Sequence, residues 1–254
     1  MRPIEDRGYV CLAVNTDTVD YVSMARRLFD SLRQWHPEAR TCLITDLAVQ
    51  ADEFDHVRIL VPQQNPYAND AQAFRLTPFR ETIKLEADML IVSPIDHWWD
   101  MLRHRDVVIR TGCSNWHGDA SQERFYRKTI DANRLPDVYN AITYWRLSQT
   151  SQQFYQLVRD IFANWQSIKT LLKFPEDQPS TDTVYAIAAQ IIGANLVTMP
   201  FTSYPQLVHM RPRIAGTAGA WPNELVWEYH AACLRIETIP QWGAFHYFEK
   251  AWKP

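Results

Sequence analysis

The hydrophobic and polar positions of this chain predict strands that alternate with helices. Residues 8–14 form an apolar run typical of a buried first strand, and a polar turn follows it. Apolar residues then recur at helical spacing over residues 21–35, with Pro37 just beyond the expected end of the helix. Further strands are predicted at 41–45 and 57–61. Strand, loop and helix units in this succession indicate an α/β protein.

The next predicted strand carries two acids. Thr77-Pro78 predicts a short helical piece that leads into a strand over residues 83–92. Polar and apolar residues alternate in its first half, so Glu86 and Asp88 are expected on one face, about 7 Å apart by strand rise. A fully apolar run follows, which places the acids where a buried strand emerges toward solvent. Such oxygen ligands suit Mg²⁺ or Mn²⁺, and the alternative is the solvated face of an edge strand.

The second half of the chain continues this pattern as far as Gly193. The predicted elements are a helix at 96–102, a strand at 107–109, a strand at 138–147, a helical face over 154–165 and a capped helix after Ser180-Thr181-Asp182. Residues 112–136 show little periodicity, and the pattern after Asn195 is irregular and aromatic. These elements imply an α/β sandwich whose first half is a nucleotide-binding type of fold.

Composition narrows the function classes. A formal charge of -3 argues against a protein that coats nucleic acid. The seven glycines form neither a GxGxxG nor a Walker A loop, so a bound nucleotide would need a metal on its diphosphate. There is no signal-peptide core and no apolar run of the roughly 20 residues that span a membrane. The four cysteines form no CxxC pair and are expected to be reduced thiols of a cytoplasmic protein.

Four ordered segments resemble the GT-A-fold glycosyltransferases, especially the family-8-like enzymes. LTPFRETIKLEADMLIVSPIDHWW is similar to their DxD segment, with Glu86 in place of the first aspartate. The other matches are AVNTDTVDYVSMARRLFDSLRQWHP for the opening strand and helix, VYNAITYWRL for the acceptor strand and HYFEKAWKP for the closing element. The resemblance implies one GT-A-type domain over 1–254, with a mixed central sheet flanked by helices. Residues 1–110 would be the nucleotide-sugar half, and 111–254 the acceptor half with the closing tail.

The resemblance also implies roles for individual residues. Glu86, Asp88 and His246 would hold Mn²⁺ or Mg²⁺ on the diphosphate of the donor. The groups expected around the nucleotide are Val14, Asn15, Thr16 and Tyr21 at the base and ribose, with Arg80, Lys84 and Lys250 or Lys253 at the diphosphate. Because glutamate is one methylene longer than aspartate, Glu86 is expected to contact the ribose or a metal-bound water more than the metal itself.

Two further residues are candidates for the transfer step. Asp182 matches the acid beside the transferred sugar, and Asn140 is expected at the sugar or the acceptor. The alternatives remain open: Asp182 can be a first-turn helix aspartate, Asn140 a strand-end asparagine and His246 a core histidine. Trp116, Trp242 or Trp252 is available to stack on a sugar or base.

The predicted function is metal-dependent glycosyl transfer, with retention, from a nucleotide-diphosphate sugar such as a UDP-sugar. The alternatives are a nucleotidyltransferase, whose usual Gly-rich N-terminal loop is missing, and a degenerate nucleotide-sugar-binding scaffold. The acceptor is open among glycan, lipid, protein and a modified DNA base, and the oligomeric state is not readable. A nucleic-acid acceptor would be held by basic rims made of Arg103, Arg105, Arg124, Arg127, Lys128, Arg134, Arg211 and Arg213.

Overall fold

A mixed central sheet of seven strands organises the protein, whose computed structural model describes residues 5–47, 53–121, 127–199, 205–214 and 218–254. In spatial order its strands are β10 (Thr198–Met199), β6 (Val107–Thr111), β9 (Val138–Arg146), β4 (Phe79–Glu86), β1 (Glu5–Leu12), β2 (Thr41–Thr45) and β3 (His56–Ile59). Strand β9 runs antiparallel to both of its neighbours, and the other pairs are parallel. The predicted mixed α/β sheet is therefore confirmed.

Two smaller sheets stand beside the central one. The first contains, in spatial order, β5 (Met89–Ile91), β15 (Ala244–His246), β11 (Leu207–His209), β7 (Cys113–Ser114) and β8 (Ala120–Ser121). The second is a meander of β12 (Trp227–His230), β13 (Cys233–Ile236) and β14 (Ile239–Pro240). The described part of the aromatic stretch thus contains several short strands, of which β11 and β15 also pair with strands from the first half of the chain.

Helices cover both faces of the central sheet. They are α1 (Tyr21–Trp35), a 3-10 helix (Pro66–Gln72), α2 (Ala73–Leu76), α3 (His97–Leu102), α4 (Arg127–Ala132), α5 (Gln149–Ala163), α6 (Trp165–Leu172), α7 (Thr181–Ile192), α8 (Ala194–Val197) and α9 (Trp221–Glu224). Within the described ranges, none of them has the length and apolar character needed to cross a bilayer.

Side chains of the central strands alternate between two cores. On β1, Tyr9 and Cys11 belong to the core that includes α1, whereas Val10 belongs to the core that includes α5 and α7. Because helices cover both faces, β1 is buried continuously from Gly8 to Cys11 instead of alternating in exposure. This explains why the sequence of the first strand is an unbroken apolar run.

Capping residues determine where the two best predicted helices begin. The side chain of Asp20 accepts a hydrogen bond from the Ser23 N–H at the start of α1, and Ser180 does the same for Thr183 at the start of α7. Helix α7 ends at Gly193, whose φ of 114° favours glycine. Each of the two capping hydrogen bonds joins residues only three positions apart, so the sequence alone predicts where these two helices start.

The prediction of one strand over residues 83–92 is wrong. Helix α2 ends at Thr77, which takes an extended conformation before Pro78, so no helical piece begins there. Strand β4 then starts at Phe79 and ends at Glu86, and β5 belongs to a different sheet. The alternating pattern is equally compatible with one strand or two. Residues 83–92 are divided between two sheets because β5 pairs with the distant strand β15.

A close approach between β1 and β4 predicts the effect of a small substitution. A methyl group at Gly8 would lie 2.3 Å from the ring of Phe79, which is fully buried. We expect Gly8→Ala to lower the free energy of unfolding by about 1–3 kcal/mol, because the ring must move within a packed core. Urea denaturation measures the loss. In Gly8→Ala/Phe79→Leu the loss should be smaller than the sum of the single losses, and strict additivity would contradict the clash.

Candidate functional site

The carboxyl edge of the central sheet carries the candidate site. Strands β1 and β4 are parallel neighbours with Leu12 opposite Glu86, so the turn that follows β1 lies beside Glu86. Strand β9 is antiparallel to β4, so its first residues reach the same edge. Ligands of open α/β sheets bind at this edge because the connecting loops meet there.

Backbone pairing brings the end of the chain to the acids. Strand β15 pairs with β5 in antiparallel register, with His246 opposite Met89. The Tyr247 N–H also donates to the Asp88 carbonyl at 3.1 Å. Asp88 lies in the turn between β4 and β5, so this pairing places its side chain next to His246.

Glu86, Asp88 and His246 form one cluster. His246 Nε2 lies 2.8 Å from Asp88 Oδ2 and 3.5 Å from Glu86 Oε2. One ligand atom from each of the three residues lies within 4.8 Å of the others. The side chains of Asp88 and His246 are 7% and 3% exposed, whereas that of Glu86 is 36% exposed. The three predicted metal ligands therefore converge, with Glu86 as the most accessible of them.

The cluster is an arrangement of opposite charges in a buried place. Burial opposes the ionisation of Asp88, but the charges and hydrogen bonds of His246 and Lys250 outweigh it and hold the pKa of Asp88 below its ordinary value. Burial likewise lowers the pKa of His246, but Asp88 and then Glu86 outweigh it, so the pKa of His246 is raised. Lys250 donates to the same oxygen of Asp88 that contacts His246.

The predicted catalytic pair also meets at this edge. The Asn140 N–H donates to Asp182 Oδ1 at 2.7 Å, which ties the start of α7 to the start of β9. The Thr143 hydroxyl donates to the side-chain oxygen of Asn140 at 2.6 Å, and Asn140 is almost fully buried. Asp182 therefore has a structural contact at the site, in the first helical turn where the macrodipole favours an acid.

Two side chains shape the turn after β1. Asn15 accepts a hydrogen bond from the Val22 N–H at 3.0 Å, and Thr16 accepts one from the Val19 N–H at 3.1 Å. Val14, just before Asn15, packs against the core on the α5 and α7 side. The predicted nucleotide-binding turn is thus held by its own side chains.

The closing tail reaches back to the first helix. The ammonium of Lys250 lies 5.4 Å from the ring centre of Tyr21 and 5.0 Å from that of Phe248. Phe248 in turn packs against the ring of His246, with 5.6 Å between centres. Lys253 is exposed. Of the two lysines proposed for the closing position, Lys250 is therefore the one that the structure brings to the acids.

The other two predicted cations, Arg80 and Lys84, have different surroundings on β4. Lys84 is buried and forms an ion pair with Asp70, which also accepts from the Tyr185 hydroxyl at 2.5 Å. Arg80 is exposed near the start of β4, about 20 Å from Glu86 by strand rise. The prediction that Arg80 flanks the acids is wrong. Lys84 lies two positions before Glu86 on the same face of β4, but its ammonium pairs with Asp70.

The basic rims do not surround the acids as one surface. Arg103 and Arg105 lie just before β6, at the opposite edge of the sheet, where Arg103 pairs with Glu81 and Asp100. Arg134, Arg211 and Arg213 lie in connecting segments, and the latter two are exposed just after β11. Residue 124 and the side chains of Arg127 and Lys128 lie outside the described part of the chain.

The three tryptophans proposed for stacking differ in exposure. Trp252 is 4% exposed and packs among the rings of Trp221 and Tyr247, so it is not available to a sugar. Trp242 is 57% exposed. Trp116 is half-buried and contacts His117 ring to ring.

Sequence reasoning missed Tyr139 and His209, which adjoin the cluster behind His246. The Tyr139 hydroxyl is within hydrogen-bond reach of the Nδ1 atoms of both His209 and His246. Tyr139 is the neighbour of Asn140 in VYNAI, but His209 lies in a short strand with no local pattern. Their proximity depends on strand pairing, so no signal in the sequence could have identified it.

Comparison with known proteins identifies the fold. No family model and no curated protein matches the chain. Among solved structures, the galactosyltransferase LgtC in complex with donor and acceptor sugar analogs matches with a TM-score of 0.51, 11% sequence identity, and coverage of 75% of this chain and 72% of that chain. The chain has the GT-A fold.

A second match is mouse xyloside xylosyltransferase 1 in its apo form. It has a TM-score of 0.49, 9% sequence identity, and coverage of 77% of this chain and 84% of that chain. At such identities the likeness concerns the fold, and the GT-A fold predicted from the four sequence segments is confirmed by the comparison with LgtC.

The contact between Asp182 and Asn140 predicts a graded loss of stability. Asp182→Ala leaves the buried Asn140 N–H without this acceptor, and we expect the free energy of unfolding to fall by about 1–3 kcal/mol. Asp182→Asn keeps an oxygen in this position and should lose less. Urea denaturation of both variants measures the difference. Equal losses would show that the hydrogen bond to Asn140 is not what Asp182 contributes to stability.

Proposed function

We propose that this protein is a metal-dependent glycosyltransferase that moves a sugar from a nucleotide-diphosphate sugar, with a UDP-sugar as the expected donor. The observation that carries the proposal is the convergence of Glu86, Asp88 and His246 at the carboxyl edge of a GT-A fold. The matched LgtC structure is a galactosyltransferase that contains donor and acceptor sugar analogs.

The three side chains fit a divalent cation. They offer two carboxylate oxygens and one imidazole nitrogen within 4.8 Å of one another. Carboxylates suit Mn²⁺ and Mg²⁺, and the nitrogen ligand favours Mn²⁺, because Mg²⁺ is held mostly by oxygen. When bound, such an ion supplies Lewis-acid stabilisation of the charge that develops on the departing diphosphate.

Residues around the cluster would hold the donor. Asn15 and Thr16 lie in the turn beside Glu86, where we place the base and ribose, together with Val14 and Tyr21. The ammonium of Lys250 donates to Asp88, and a bound diphosphate would give this ammonium a second anionic partner.

Two residues are proposed to act on the transferred sugar. Asp182 accepts the Asn140 N–H at the edge of the sheet that carries the cluster, and a carboxylate here would stabilise positive charge on the anomeric carbon. Asn140, held by Asp182 and Thr143, would position the sugar or the acceptor. The proposed outcome at the anomeric carbon is retention, and the acceptor is a hydroxyl or amine.

One observation favours a second candidate, a nucleotide-sugar-binding protein without turnover. His246 and Lys250 already place two positive partners on Asp88. A cation must compete with Lys250 for this carboxylate, so a protein that kept its own ion pair would bind a donor without activating it. Turnover therefore separates the two candidates.

The burial of the two acids predicts unequal effects on metal binding. Asp88→Asn should weaken Mn²⁺ binding in the presence of UDP by more than the 10–100-fold typical of an outer-shell partner, because a buried ligand is lost. Glu86→Gln should weaken it by about 10-fold, because Glu86 is more exposed and is expected to meet a metal-bound water or the ribose. Isothermal titration with Mn²⁺ and UDP measures both.

A matched control for this comparison lies on the same strand. Glu81→Gln removes a carboxylate from β4 at the end away from the cluster, and it should leave Mn²⁺ binding unchanged. If Glu86→Ala and Asp88→Ala lose the same amount of Mn²⁺ affinity, the proposed difference between the two acids is wrong. If the wild-type protein does not bind Mn²⁺, with or without UDP, the proposed metal site is wrong.

Donor hydrolysis tests the enzyme directly. With Mn²⁺ and a panel of UDP-sugars, the wild-type protein should release UDP, whereas Asp88→Asn should not and Glu81→Gln should match the wild type. Release of UDP is followed with a coupled assay after chelation and after readdition of Mn²⁺. UDP binding without release from any nucleotide sugar would support the binding protein instead.

A further inference from the structure

Three rings meet behind the candidate metal ligand. Tyr139 lies at the start of β9, and His209 and His246 lie opposite each other at the ends of the parallel strands β11 and β15. Ring centres are 5.3 Å apart for Tyr139 and His209, 5.9 Å for Tyr139 and His246, and 5.3 Å for the two histidines. Tyr139 and His246 are buried, and His209 is half-buried.

The Tyr139 hydroxyl cannot serve both histidines in the same way. It contacts the Nδ1 atoms of His209 and of His246, but it has one hydrogen to donate. If one Nδ1 accepts that hydrogen, the other must donate its own hydrogen to the tyrosine oxygen. The two Nδ1 atoms therefore cannot both accept from Tyr139, and the two imidazoles are coupled through one hydroxyl group.

The nitrogen of His246 that faces the acids determines which tautomer of the imidazole can bind a metal. His246 Nε2 points to Asp88 and Glu86, so a ligand bond from this nitrogen needs its lone pair. A neutral His246 then carries its proton on Nδ1 and donates it to the Tyr139 oxygen. The hydrogen of the Tyr139 hydroxyl can then be donated to His209 Nδ1, which accepts it.

We propose that His209, acting through Tyr139, is a positioning residue that selects the metal-binding tautomer of His246. The inference rests on the proposed function, because it presupposes a cation at His246. His209 accepts the tyrosine hydrogen and so directs it away from His246. Without that acceptor, the hydroxyl turns to His246 Nδ1 and stabilises the tautomer whose Nε2–H already has Asp88 as its acceptor. That tautomer has no lone pair for a cation.

A purely structural role makes different predictions from this one. Packing of the three rings would require only their shape, so substitutions would change stability without a preference for hydrogen-bonding groups. A positioning role requires an acceptor at the Nδ1 position of His209 and a hydroxyl on Tyr139. Outer-shell partners of this kind typically contribute 10–100-fold to metal affinity.

The experiment compares Mn²⁺ affinity, measured by electron paramagnetic resonance titration with the metal alone and with UDP, across five full-length variants. His209→Ala and Tyr139→Phe should each weaken binding about 10-fold. His209→Asn should restore most of the affinity, because its side-chain oxygen replaces the Nδ1 acceptor. The double variant Tyr139→Phe/His209→Ala should bind no more weakly than Tyr139→Phe, since His209 acts through the hydroxyl. His117→Ala, an exposed histidine on another loop, is the control and should not differ from the wild type.

A spectroscopic readout reports the tautomer directly. Nitrogen-15 spectra of the histidine side chains, with Zn²⁺ as a diamagnetic probe, should show His246 protonated at Nδ1 in the wild type. At subsaturating Zn²⁺, His209→Ala should retain a larger Nε2–H population of His246 than His209→Asn does. Thermal unfolding shows whether each variant is folded. If a variant is not folded, the comparison of His209→Asn with the wild type is used in its place.

The outcomes separate this inference from the proposed function. Wild-type Mn²⁺ binding with equal affinity in all variants would overturn the inference and leave the metal site intact. Equal weakening by His209→Ala and His209→Asn would overturn it in favour of packing. No Mn²⁺ binding by the wild type would overturn the metal site, and the inference with it.

Discussion

Antiparallel pairing between β5 and β15 is the constraint on which the candidate site depends. These strands bring together residues 158 positions apart in the chain, such as Asp88 and His246. Strand β11 then adds to β15 in parallel and carries His209 to the same end. Without this second sheet, the central sheet would present Glu86 at its carboxyl edge, but His246 and Lys250 would not lie beside it.

The turn between β4 and β5 gives the two acids different environments. Glu86 ends a strand of the central sheet and remains partly accessible, whereas Asp88 is enclosed by the closing tail. A buried carboxylate is costly unless charged or hydrogen-bonding partners surround it. Asp88 has such partners in His246 and Lys250, so the charges that a donor or cation would meet are also those that keep Asp88 ionised.

Local features of the sequence predicted a large part of this fold. Helices α1 and α7 were predictable because their caps, Asp20 and Ser180, bond to groups three residues away. Strands β1 and β2 were predictable because burial on both faces requires an apolar run. The convergence of Glu86, Asp88 and His246 was expected only from resemblance to GT-A enzymes, since nothing local links the tail to the acids.

By itself, the sequence determined the α/β class, the starts of α1 and α7 and the presence of two acids near the end of a strand, because these depend on neighbours within a few residues. Tertiary structure decided the rest. It split residues 83–92 between two sheets, directed Lys84 to Asp70 and left Arg80 at the far end of β4. It also placed Tyr139 between His209 and His246. These outcomes follow from pairing between distant strands, for which a single sequence contains no local signal.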